Sequence, residues 1–365
     1  MRIIFSGGGT GGHIYPSLAL IREIKRQYPE SEILYIGTTR GLESKIVPKA
    51  GIPFQAVDIQ GLRRSLSLEN FRTMWLFWTS IRRSRQIIRS FQPDVVIGTG
   101  GYVCAPVLYA AAKLGIPTII HEQNSIAGLT NKFLARYVNK IAISFATVKK
   151  DFQKFTDKVV YTGNPRAQEV ATIDQKADLE QYGLQNNQPT VLVFGGSRGA
   201  EKINQTIFSV REQLEQEDFQ TLIVTGDIYY DEMTQAHPEI ANYQRVKLTP
   251  YIDHMPEVLN AVSLVVSRSG ATTLTELTAL GKPSILIPSP NVTHNHQQFN
   301  AETLAHEDAA VMILERDLSP ENLLQTLELL MQDAEQRQQM SKRAQKMGVP
   351  DAGDRMIQLI QSLVK

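Results

Sequence analysis

The chain opens with an apolar strand that leads directly into a glycine-rich turn. Residues 3–5 are apolar, residues 7–13 contain five glycines and end at His13, and residues 14–28 have the apolar spacing of a helix. This arrangement places several backbone N–H groups around one point, where the helix dipole adds partial positive charge. Glycine suits such a turn because it adopts positive φ and lets a ligand approach the backbone. The opening therefore predicts a site for a nucleotide or a phosphorylated sugar.

Two common phosphate motifs match this turn incompletely. Gly7, Gly9 and Gly12 have the spacing of dinucleotide-binding folds. That motif also needs an acidic residue at the end of the second strand, and none occurs before Glu43. A P-loop needs Lys followed by Ser or Thr after the last glycine, where this chain has His13. A purely structural glycine turn is the alternative.

Length and composition indicate a two-domain globular enzyme. The chain has 365 residues, more than one core usually supports. Apolar residues make up 42% and charged residues 21%, and the single cysteine, Cys104, excludes an internal disulfide. Residues 95–112 carry no charge, but glycines and Pro106 divide them into a strand, a turn and a short helix. We therefore expect no transmembrane helix.

The charge is distributed unequally along the chain. Residues 1–162 contain 22 Lys and Arg against 10 Asp and Glu, a net charge of +12, whereas the remainder has a net charge of −11. Such an asymmetry predicts two domains with different surroundings, and the basic half is expected to bind an anionic surface.

Short apolar runs alternate with helical patterns throughout, which predicts parallel sheets with crossover helices. The predicted strands are Ile3–Phe5, Ile33–Ile36, Phe54–Val57, Val95–Ile97, Thr118–His121, Lys140–Ile143, Val159–Thr162, Thr190–Phe194, Thr221–Val224, Val246–Leu248, Leu264–Val266, Ser284–Ile287 and Ala310–Ile313. Residues 191–200 repeat the opening pattern of strand, glycine turn and helix. The predicted fold class is α/β, with two doubly wound Rossmann-like domains facing a cleft, as in two-domain (GT-B) glycosyltransferases and nucleotide-sugar epimerases. We place the domains at residues 1–162 and 163–350, with a last helix at about 351–365 that packs back on the first domain.

Metal-dependent chemistry is not expected. No Asp-x-Asp motif occurs in the chain, and His294 and His296 have no third ligand at suitable spacing. We therefore predict neither a metal nor a cofactor. A leaving diphosphate would then need helix N-termini, backbone donors and a cation such as Arg166 or Arg268.

An ordered set of motifs resembles the MurG family of peptidoglycan glycosyltransferases over essentially the whole chain. The motifs are GGTGGH ending at His13, GGY ending at Tyr102, HEQN ending at Asn124, GLTN ending at Asn131, GNP ending at Pro165, GGS ending at Ser197, RSGA ending at Ala271 with Glu276, and Gln297 with Asn300 and Ala301. The family transfers N-acetylglucosamine from UDP-N-acetylglucosamine to lipid I, a muramoyl-pentapeptide diphospho-undecaprenol, and gives lipid II.

The resemblance implies a set of binding residues. Thr10, Gly11 and Gly12 would approach the donor diphosphate and sugar, Asn124 would hold the N-acetylglucosamine, and Ser197 would hold the diphosphate. The backbone of Ile252 would contact uracil, Glu276 would bind ribose, and Gln297 or Gln298 would bind sugar hydroxyls. The remaining predicted binding residues are Tyr102, Arg166, Arg268 and Ala271.

The implied reaction inverts configuration at the sugar, so the acceptor hydroxyl needs a general base. His13 is our first candidate, because imidazole titrates near neutrality and His13 follows the glycine turn. A loop-fixing hydrogen bond is the alternative role for His13. Glu122 is the second candidate for the base.

Residues 62–91 predict a membrane-facing helix independently of the resemblance. They contain both tryptophans and seven arginines against one acid. Aromatic residues flanked by arginines suit the headgroup region of an anionic bilayer. The predicted membrane residues are Phe71, Trp75, Phe77, Trp78, Arg82 and Arg83. An ordinary core helix is the alternative, and we expect no nucleic-acid partner.

The leading prediction is thus a peripheral glycosyltransferase at the cytoplasmic face of the bacterial cell membrane. Its partners would be the nucleotide-sugar donor and lipid I in an anionic bilayer, and other cell-wall enzymes are compatible with it. Two alternatives are a UDP-N-acetylglucosamine epimerase of the same architecture and a non-catalytic lipid- or nucleotide-binding protein. Neither alternative accounts for both the paired glycine turns and the arginine–tryptophan segment.

Overall fold

The structure is a computed structural model that describes residues 1–60, 69–196 and 199–364, with side chains in the helix beginning at Glu69 described from Trp75 onward. The chain forms two compact units. Unit 1 comprises Met1–Glu169 and Asp351–Lys365, and unit 2 comprises Val170–Pro350. Our prediction of an acceptor- and membrane-facing domain at residues 1–162 and a UDP-sugar-binding domain at residues 163–350 stays a prediction.

The described part of unit 1 contains a parallel sheet flanked by helices. Its strands are β1 (Arg2–Ser6), β2 (Glu32–Gly37), β3 (Phe54–Ala56), β4 (Val95–Gly98), β5 (Thr118–Glu122), β6 (Lys140–Ile143) and β7 (Val159–Tyr161). Its helices are α1 (Gly11–Gln27), α2 (Glu43–Lys49), α3 (Glu69–Phe91), α4 (Cys104–Lys113), α5 (Leu129–Leu134), α6 (Arg166–Ala171), a 3₁₀ segment (Ala146–Lys158) and, after unit 2, α15 (Ala352–Gln361). The strand order is β3-β2-β1-β4-β5-β6-β7.

Unit 2 repeats this architecture. Its strands are β8 (Thr190–Phe194), β9 (Gln220–Val224), β10 (Val246–Thr249), β11 (Leu264–Ser267), β12 (Ser284–Leu286) and β13 (Ala310–Met312), in the order β10-β9-β8-β11-β12-β13. Its helices are α7 (Glu201–Ser209), α8 (Arg211–Leu214), α9 (Asp227–Ala236), α10 (Met255–Ala261), α11 (Ala271–Ala279), α12 (His296–Ala305), α13 (Pro320–Gln332) and α14 (Ala334–Met347). Its 3₁₀ segments are Leu179–Tyr182, Pro238–Asn242, Thr293–Asn295 and Glu315–Asp317.

The core of unit 1 lies on both faces of its sheet. Because successive side chains of a strand alternate, Ile3 and Phe5 of β1 face one layer and Ile4 faces the other. The first layer is closed by α1 together with α15, whose Met356 and Ile360 are fully buried. The second layer is closed by α3, α4 and α5. Burial on both faces explains why these strands read as continuous apolar runs.

The predicted α/β class is confirmed, and each predicted strand overlaps a strand of the structure. The strand ends agree to within one residue, and β6 and β8 match the prediction at both ends. By contrast, β2 begins at Glu32 rather than Ile33, because Glu32 pairs with Arg2 in the sheet register. An apolar pattern does not detect a polar residue that extends a ladder through backbone hydrogen bonds.

The uncharged stretch beginning at Val95 forms β4, a glycine turn and α4, as predicted. Among the described residues, no helix combines the length and apolar character needed to cross a membrane.

We predict that α15 contributes substantially to the stability of unit 1. Met356→Ala removes a fully buried side chain and should lower the free energy of unfolding by about 2–5 kcal/mol. Gln358→Ala, an exposed position on the same helix, is the matched control and should change it by less than about 0.5 kcal/mol. Urea denaturation measures both variants, and equal effects would contradict the packing described here.

Candidate active site

The loops that carry the predicted residues of unit 1 meet at one edge of its sheet. β1 lies between β2 and β4, so the direction of strand order reverses there. In open parallel sheets, ligands bind outside the carboxyl ends of the strands at such a reversal. The loops after β1, β4 and β5 contain the glycine turn, residues 99–103 and residues 123–128 respectively.

The loops after β1 and β4 contact each other through glycine backbone. Gly8 N donates to Gly100 O at 3.2 Å. Gly101 has a φ of +86°, and a Cβ at this position would lie 2.3 Å from Gly8 O. No side chain can be accommodated at that distance, so Gly101 is required for the contact. Tyr102, a predicted binding residue, follows directly and is partly buried.

His13 lies in the first turn of α1, after the exposed N-cap residue Thr10 and the helix-starting Gly11 and Gly12. Its ring is packed against the backbone of Gly100, where a Cβ would come within 2.6 Å of His13 Nδ1. Four predicted residues therefore sit at a helix N-terminus beside the second glycine turn. The geometry allows the His13 imidazole to act on a ligand held at that N-terminus.

The carboxylate of Glu43, which is fully buried, holds the first glycine turn through hydrogen bonds. It accepts hydrogen bonds from Gly9 N at 3.0 Å, Thr38 N at 3.0 Å and Thr38 Oγ1 at 2.7 Å. The Gly9 N–H is therefore already occupied, and a carboxylate lies behind the turn. An anion at this turn would depend on the N–H groups of the α1 N-terminus rather than on Gly9.

Glu122, our second candidate base, has a fully buried carboxylate that is surrounded by donors. Oε1 accepts from Asn124 N at 3.1 Å and Asn124 Nδ2 at 3.3 Å. Oε2 accepts from Gly128 N at 2.9 Å and Asn131 Nδ2 at 2.8 Å. The arrangement holds the loop after β5 in one conformation and orients the Asn124 amide.

His121 lies beside Glu122 and is also buried. Burial lowers the pKa of its imidazole to about 4, although a hydrogen bond with Gly163 O at 2.9 Å favours the protonated form. His121 is therefore neutral at pH 7.

The predicted residues of unit 2 cluster around the ends of β11 and β12. Ser269 Oγ donates to Gln297 O at 2.7 Å, and Gln297 Oε1 accepts from Ser289 N at 2.9 Å. Asn300 Nδ2 donates to Ser269 O at 3.2 Å, which ties α12 to the loop before α11. Ala271 begins α11, and Glu276 lies buried along the same helix.

Both candidate cations for a leaving diphosphate form ion pairs. Arg268 pairs with Glu315 and donates to Ile287 O at 3.1 Å. Arg166 Nη1 lies 2.8 Å from Glu169 Oε2. Either arginine would therefore have to share its guanidinium with a ligand or exchange its present partner.

The remaining predicted binding residues occupy varied environments. Ile252 is buried after β10. Gln298 bonds Asn295 Nδ2 at 2.6 Å and Glu302 Oε1 at 2.8 Å, which places its amide within the helix surface of α12. Ser197 lies outside the described residues. Across the described ranges, no group of three or more His, Cys, Asp and Glu side chains is arranged to hold a metal.

Two family models match this chain. The glycosyltransferase family 28 N-terminal domain matches residues 3–143, and the glycosyltransferase family 28 C-terminal domain matches residues 190–356. The chain belongs to glycosyltransferase family 28.

Curated relatives of family 28 match the chain over its full length. The UDP-N-acetylglucosamine–N-acetylmuramyl-(pentapeptide) pyrophosphoryl-undecaprenol N-acetylglucosamine transferase of Listeria monocytogenes is 53% identical, with 100% of both chains covered. The corresponding transferase of Bacillus cytotoxicus is 52% identical, again with complete coverage of both chains. The predicted resemblance to the MurG family is confirmed.

Solved structures share the fold. The crystal structure of Acinetobacter baumannii MurG is 27% identical, with a TM-score of 0.80 and 99% of each chain covered. A putative UDP-N-acetylglucosamine 2-epimerase from Listeria monocytogenes has a TM-score of 0.73 at 15% identity, covering 99% of this chain and 96% of its own. The second likeness concerns the fold alone, so family 28 enzymes and epimerases share an architecture that does not by itself separate them.

Sequence reasoning missed two carboxylates beside the predicted residues, Glu43 in unit 1 and Glu315 in unit 2. In the sequence, Glu43 lies too far along the chain to be the ribose-binding acid of a dinucleotide-binding fold, and Glu315 belongs to none of the motifs. A carboxylate after the second strand is a weak signal, because its role depends on whether the side chain turns inward. The pairing of Arg268 with Glu315 has no local sequence signal, since the two residues are brought together by separate strands.

We predict that the Glu43 carboxylate is needed to hold the first glycine turn. Glu43→Gln replaces one acceptor oxygen with a donor that faces backbone N–H groups, so the free energy of unfolding should fall by about 2 kcal/mol. Glu30→Gln, at an exposed position, is the control and should have little effect. Chemical denaturation of both variants tests this, and an unaltered Glu43→Gln protein would contradict it.

We also predict an acid-sensitive stability from His121. A histidine whose pKa is lowered on folding binds fewer protons in the native state than in the unfolded state. Its contribution is therefore complete above the unfolded pKa of about 6.5 and is lost as pH falls to about 4. The loss should be on the order of 3 kcal/mol, and this part of the pH dependence should be absent in His121→Gln. Denaturation curves between pH 4 and pH 7 measure it, and parallel pH dependences of the two proteins would refute the assignment.

Proposed function

We propose that this family 28 glycosyltransferase transfers N-acetylglucosamine from UDP-N-acetylglucosamine to the muramoyl sugar of lipid I, giving lipid II for peptidoglycan synthesis. The full-length identity with curated N-acetylglucosamine transferases carries the proposal. The reaction inverts configuration: the acceptor 4-hydroxyl attacks the α-linked donor in one displacement and forms a β(1→4) bond. UDP leaves with the electron pair of the broken bond.

The donor would be held mainly by unit 2. Glu276 would accept hydrogen bonds from ribose hydroxyls, and the Ile252 backbone would pair with the uracil edge. Gln297 and Ala271 lie beside the loop before α11, which suits contacts to the sugar and diphosphate, and Gln298 is the next residue of α12. Arg268 would offset the charge that develops on the leaving diphosphate. Ser197, which lies outside the described residues, would contact the same diphosphate.

The acceptor hydroxyl is a poor nucleophile until its proton is removed. His13 is the base that we propose, because it lies at the N-terminus of α1, where an anionic ligand is favoured. Glu122 is the second candidate. The four donors around its carboxylate favour an orienting role for Glu122, since a base must exchange one of them for the substrate proton.

We predict that His13→Ala lowers kcat by about 10²- to 10⁴-fold, the usual contribution of general base catalysis, and leaves the KM for the donor nearly unchanged. Steady-state kinetics with labelled donor and a lipid I analogue provide the measurement. His306→Ala, a histidine at the end of α12 outside the proposed site, is the control. Unchanged turnover in His13→Ala would remove His13 as the base.

A surface of α3, which we call the tryptophan face, supports a membrane location. Trp75 and Trp78 are 65% and 61% exposed, and Arg82 and Arg85 follow them on the same side of the helix. Ile87 on the opposite side is buried in the core. Core packing therefore accounts for one side of α3 and leaves two large aromatic residues in contact with solvent.

The tryptophan face continues onto neighbouring elements. Phe77 packs edge-on against Trp78 and Phe133, with ring centroids 6.2 and 6.3 Å apart. Lys113 lies 5.6 Å from the ring centroids of Tyr109 and Tyr137. An aromatic surface bordered by cations is typical of a protein that binds anionic headgroups, and it supports a peripheral location on a membrane. The cytoplasmic face of the cell membrane is the location that we propose. Arg83 is also exposed, whereas Phe71 belongs to the part of α3 without described side chains.

We predict that Arg82→Gln with Arg85→Gln weakens binding to anionic vesicles by roughly thirtyfold at low salt, since each basic residue contributes ~1 kcal/mol near the surface. Trp75→Ala with Trp78→Ala should weaken it as well. Ile228→Ala with Leu329→Ala removes two comparably exposed apolar residues of unit 2 and serves as the control. Vesicle sedimentation measures the binding, and equal pelleting with neutral and anionic vesicles would contradict a membrane role.

The epimerase of the same architecture is the alternative, and the relatives do not favour it. Incubation with radiolabelled UDP-N-acetylglucosamine and a lipid I analogue separates the two reactions. Label in the lipid product supports the proposal, whereas an epimerised free nucleotide would support the alternative. The absence of both products would exclude both reactions.

A further inference from the structure

Gln123 lies immediately after β5 and is buried between two histidines. Its Nε2 donates to Thr99 O at 2.7 Å and to His121 O at 3.1 Å. Carbonyl oxygens only accept hydrogen bonds, so these two contacts assign the nitrogen and the oxygen of the amide without reference to either imidazole. The orientation of the Gln123 amide is thus set by the backbone.

The amide oxygen faces the proposed base. Gln123 Oε1 is 3.2 Å from His13 Nδ1. An amide oxygen has no hydrogen to donate, so His13 Nδ1 must carry the proton of this hydrogen bond. In the neutral imidazole, Nε2 then carries the lone pair and is the atom that can accept a proton from a hydroxyl.

The amide nitrogen is consistent with the same assignment. Gln123 Nε2 is 3.0 Å from His121 Nδ1, and His121 Nε2 is 2.9 Å from Gly163 O. Because Gly163 O accepts, His121 donates through Nε2 and accepts from Gln123 at Nδ1. Ser144 Oγ also lies near this hydrogen bond, 3.2 Å from His121 Nε2. The backbone carbonyls of Thr99, His121 and Gly163 therefore set the direction of every hydrogen bond between Gly163 and His13.

We propose that Gln123 is a positioning residue that fixes His13 as the Nδ1–H tautomer and so presents Nε2 as the base. The inference rests on the glycosyl transfer proposed above. During transfer the acceptor O–H bond breaks, its proton goes to His13 Nε2, and the oxygen forms the new bond to the sugar carbon. The resulting imidazolium keeps its Nδ1–H bond to Gln123, and that bond strengthens because its donor is now charged.

Nuclear magnetic resonance of the enzyme with ¹⁵N-labelled histidine tests the tautomer directly and needs no substrate. The wild-type protein, at a pH where His13 is neutral, should show a protonated Nδ1 and an unprotonated Nε2. Gln123→Met removes the acceptor while keeping a similar volume, and it should shift His13 towards a mixture of tautomers. A wild-type His13 protonated on Nε2 would overturn the proposal, whatever the stability of the variant.

Kinetics separate positioning from a merely structural role. Gln123→Met should lower kcat by about tenfold or more and change the donor KM by less than about twofold. In a His13→Ala background the same substitution should cause no further loss, because the two residues act as one unit. An equal fold-loss in both backgrounds would overturn the proposal. Gln220→Met, another buried and hydrogen-bonded glutamine, is the matched control and should retain kcat.

The experiments distinguish a failure of the proposed glycosyl transfer from a failure of the positioning role of Gln123. If the wild-type enzyme transfers no sugar but His13 carries its proton on Nδ1, the proposed function is wrong and the tautomer assignment stands. If transfer occurs and depends on His13 while Gln123→Met leaves the tautomer and kcat unchanged, the positioning role is wrong and the proposed function stands.

Discussion

The backbone contact between two glycine turns is the constraint on which the site of unit 1 depends. Gly101 approaches the Gly8 carbonyl so closely that a single added carbon would break the contact. This approach brings the loop after β4 under the N-terminus of α1 and seats the His13 ring against Gly100. The same loop exposes the Thr99 carbonyl to the Gln123 amide. The close approach of the two backbone segments thus determines which groups surround the His13 imidazole.

The fold could be predicted almost completely, because a buried parallel strand has a strong and local signature in its apolar residues. The glycine turns could also be predicted, since positive φ and close approach of two backbone segments leave few alternatives to glycine. The direction in which a polar side chain points could not be predicted. Glu122 ends β5 and Glu43 begins α2 in the connection after β2, positions that catalytic carboxylates often occupy. Both side chains nevertheless turn inward and accept hydrogen bonds from backbone N–H groups. Whether a polar side chain faces a ligand or its own loop is decided by tertiary contacts that no local pattern encodes.

The tryptophan face is a second case in which the sequence did not determine which side chains are buried. The sequence predicts a membrane-facing helix in residues 62–91, with an ordinary core helix as the alternative. In the structure α3 carries both the buried Ile87 and the exposed Trp75 and Trp78. A single helix thereby belongs both to the core and to the protein surface. Substitutions on its two sides should therefore have separable effects, one on stability and the other on binding at an interface.

The position of α15 has a consequence for synthesis of the protein. Met356 and Ile360 complete the layer that covers Ile14 and Leu18 of α1, yet the whole of unit 2 separates these segments along the chain. Domains emerging from the ribosome generally fold in the order in which they are made. Here the unit that is translated first must wait with part of its apolar layer uncovered until the final helix has been released, so unit 2 has the opportunity to finish folding before unit 1 does.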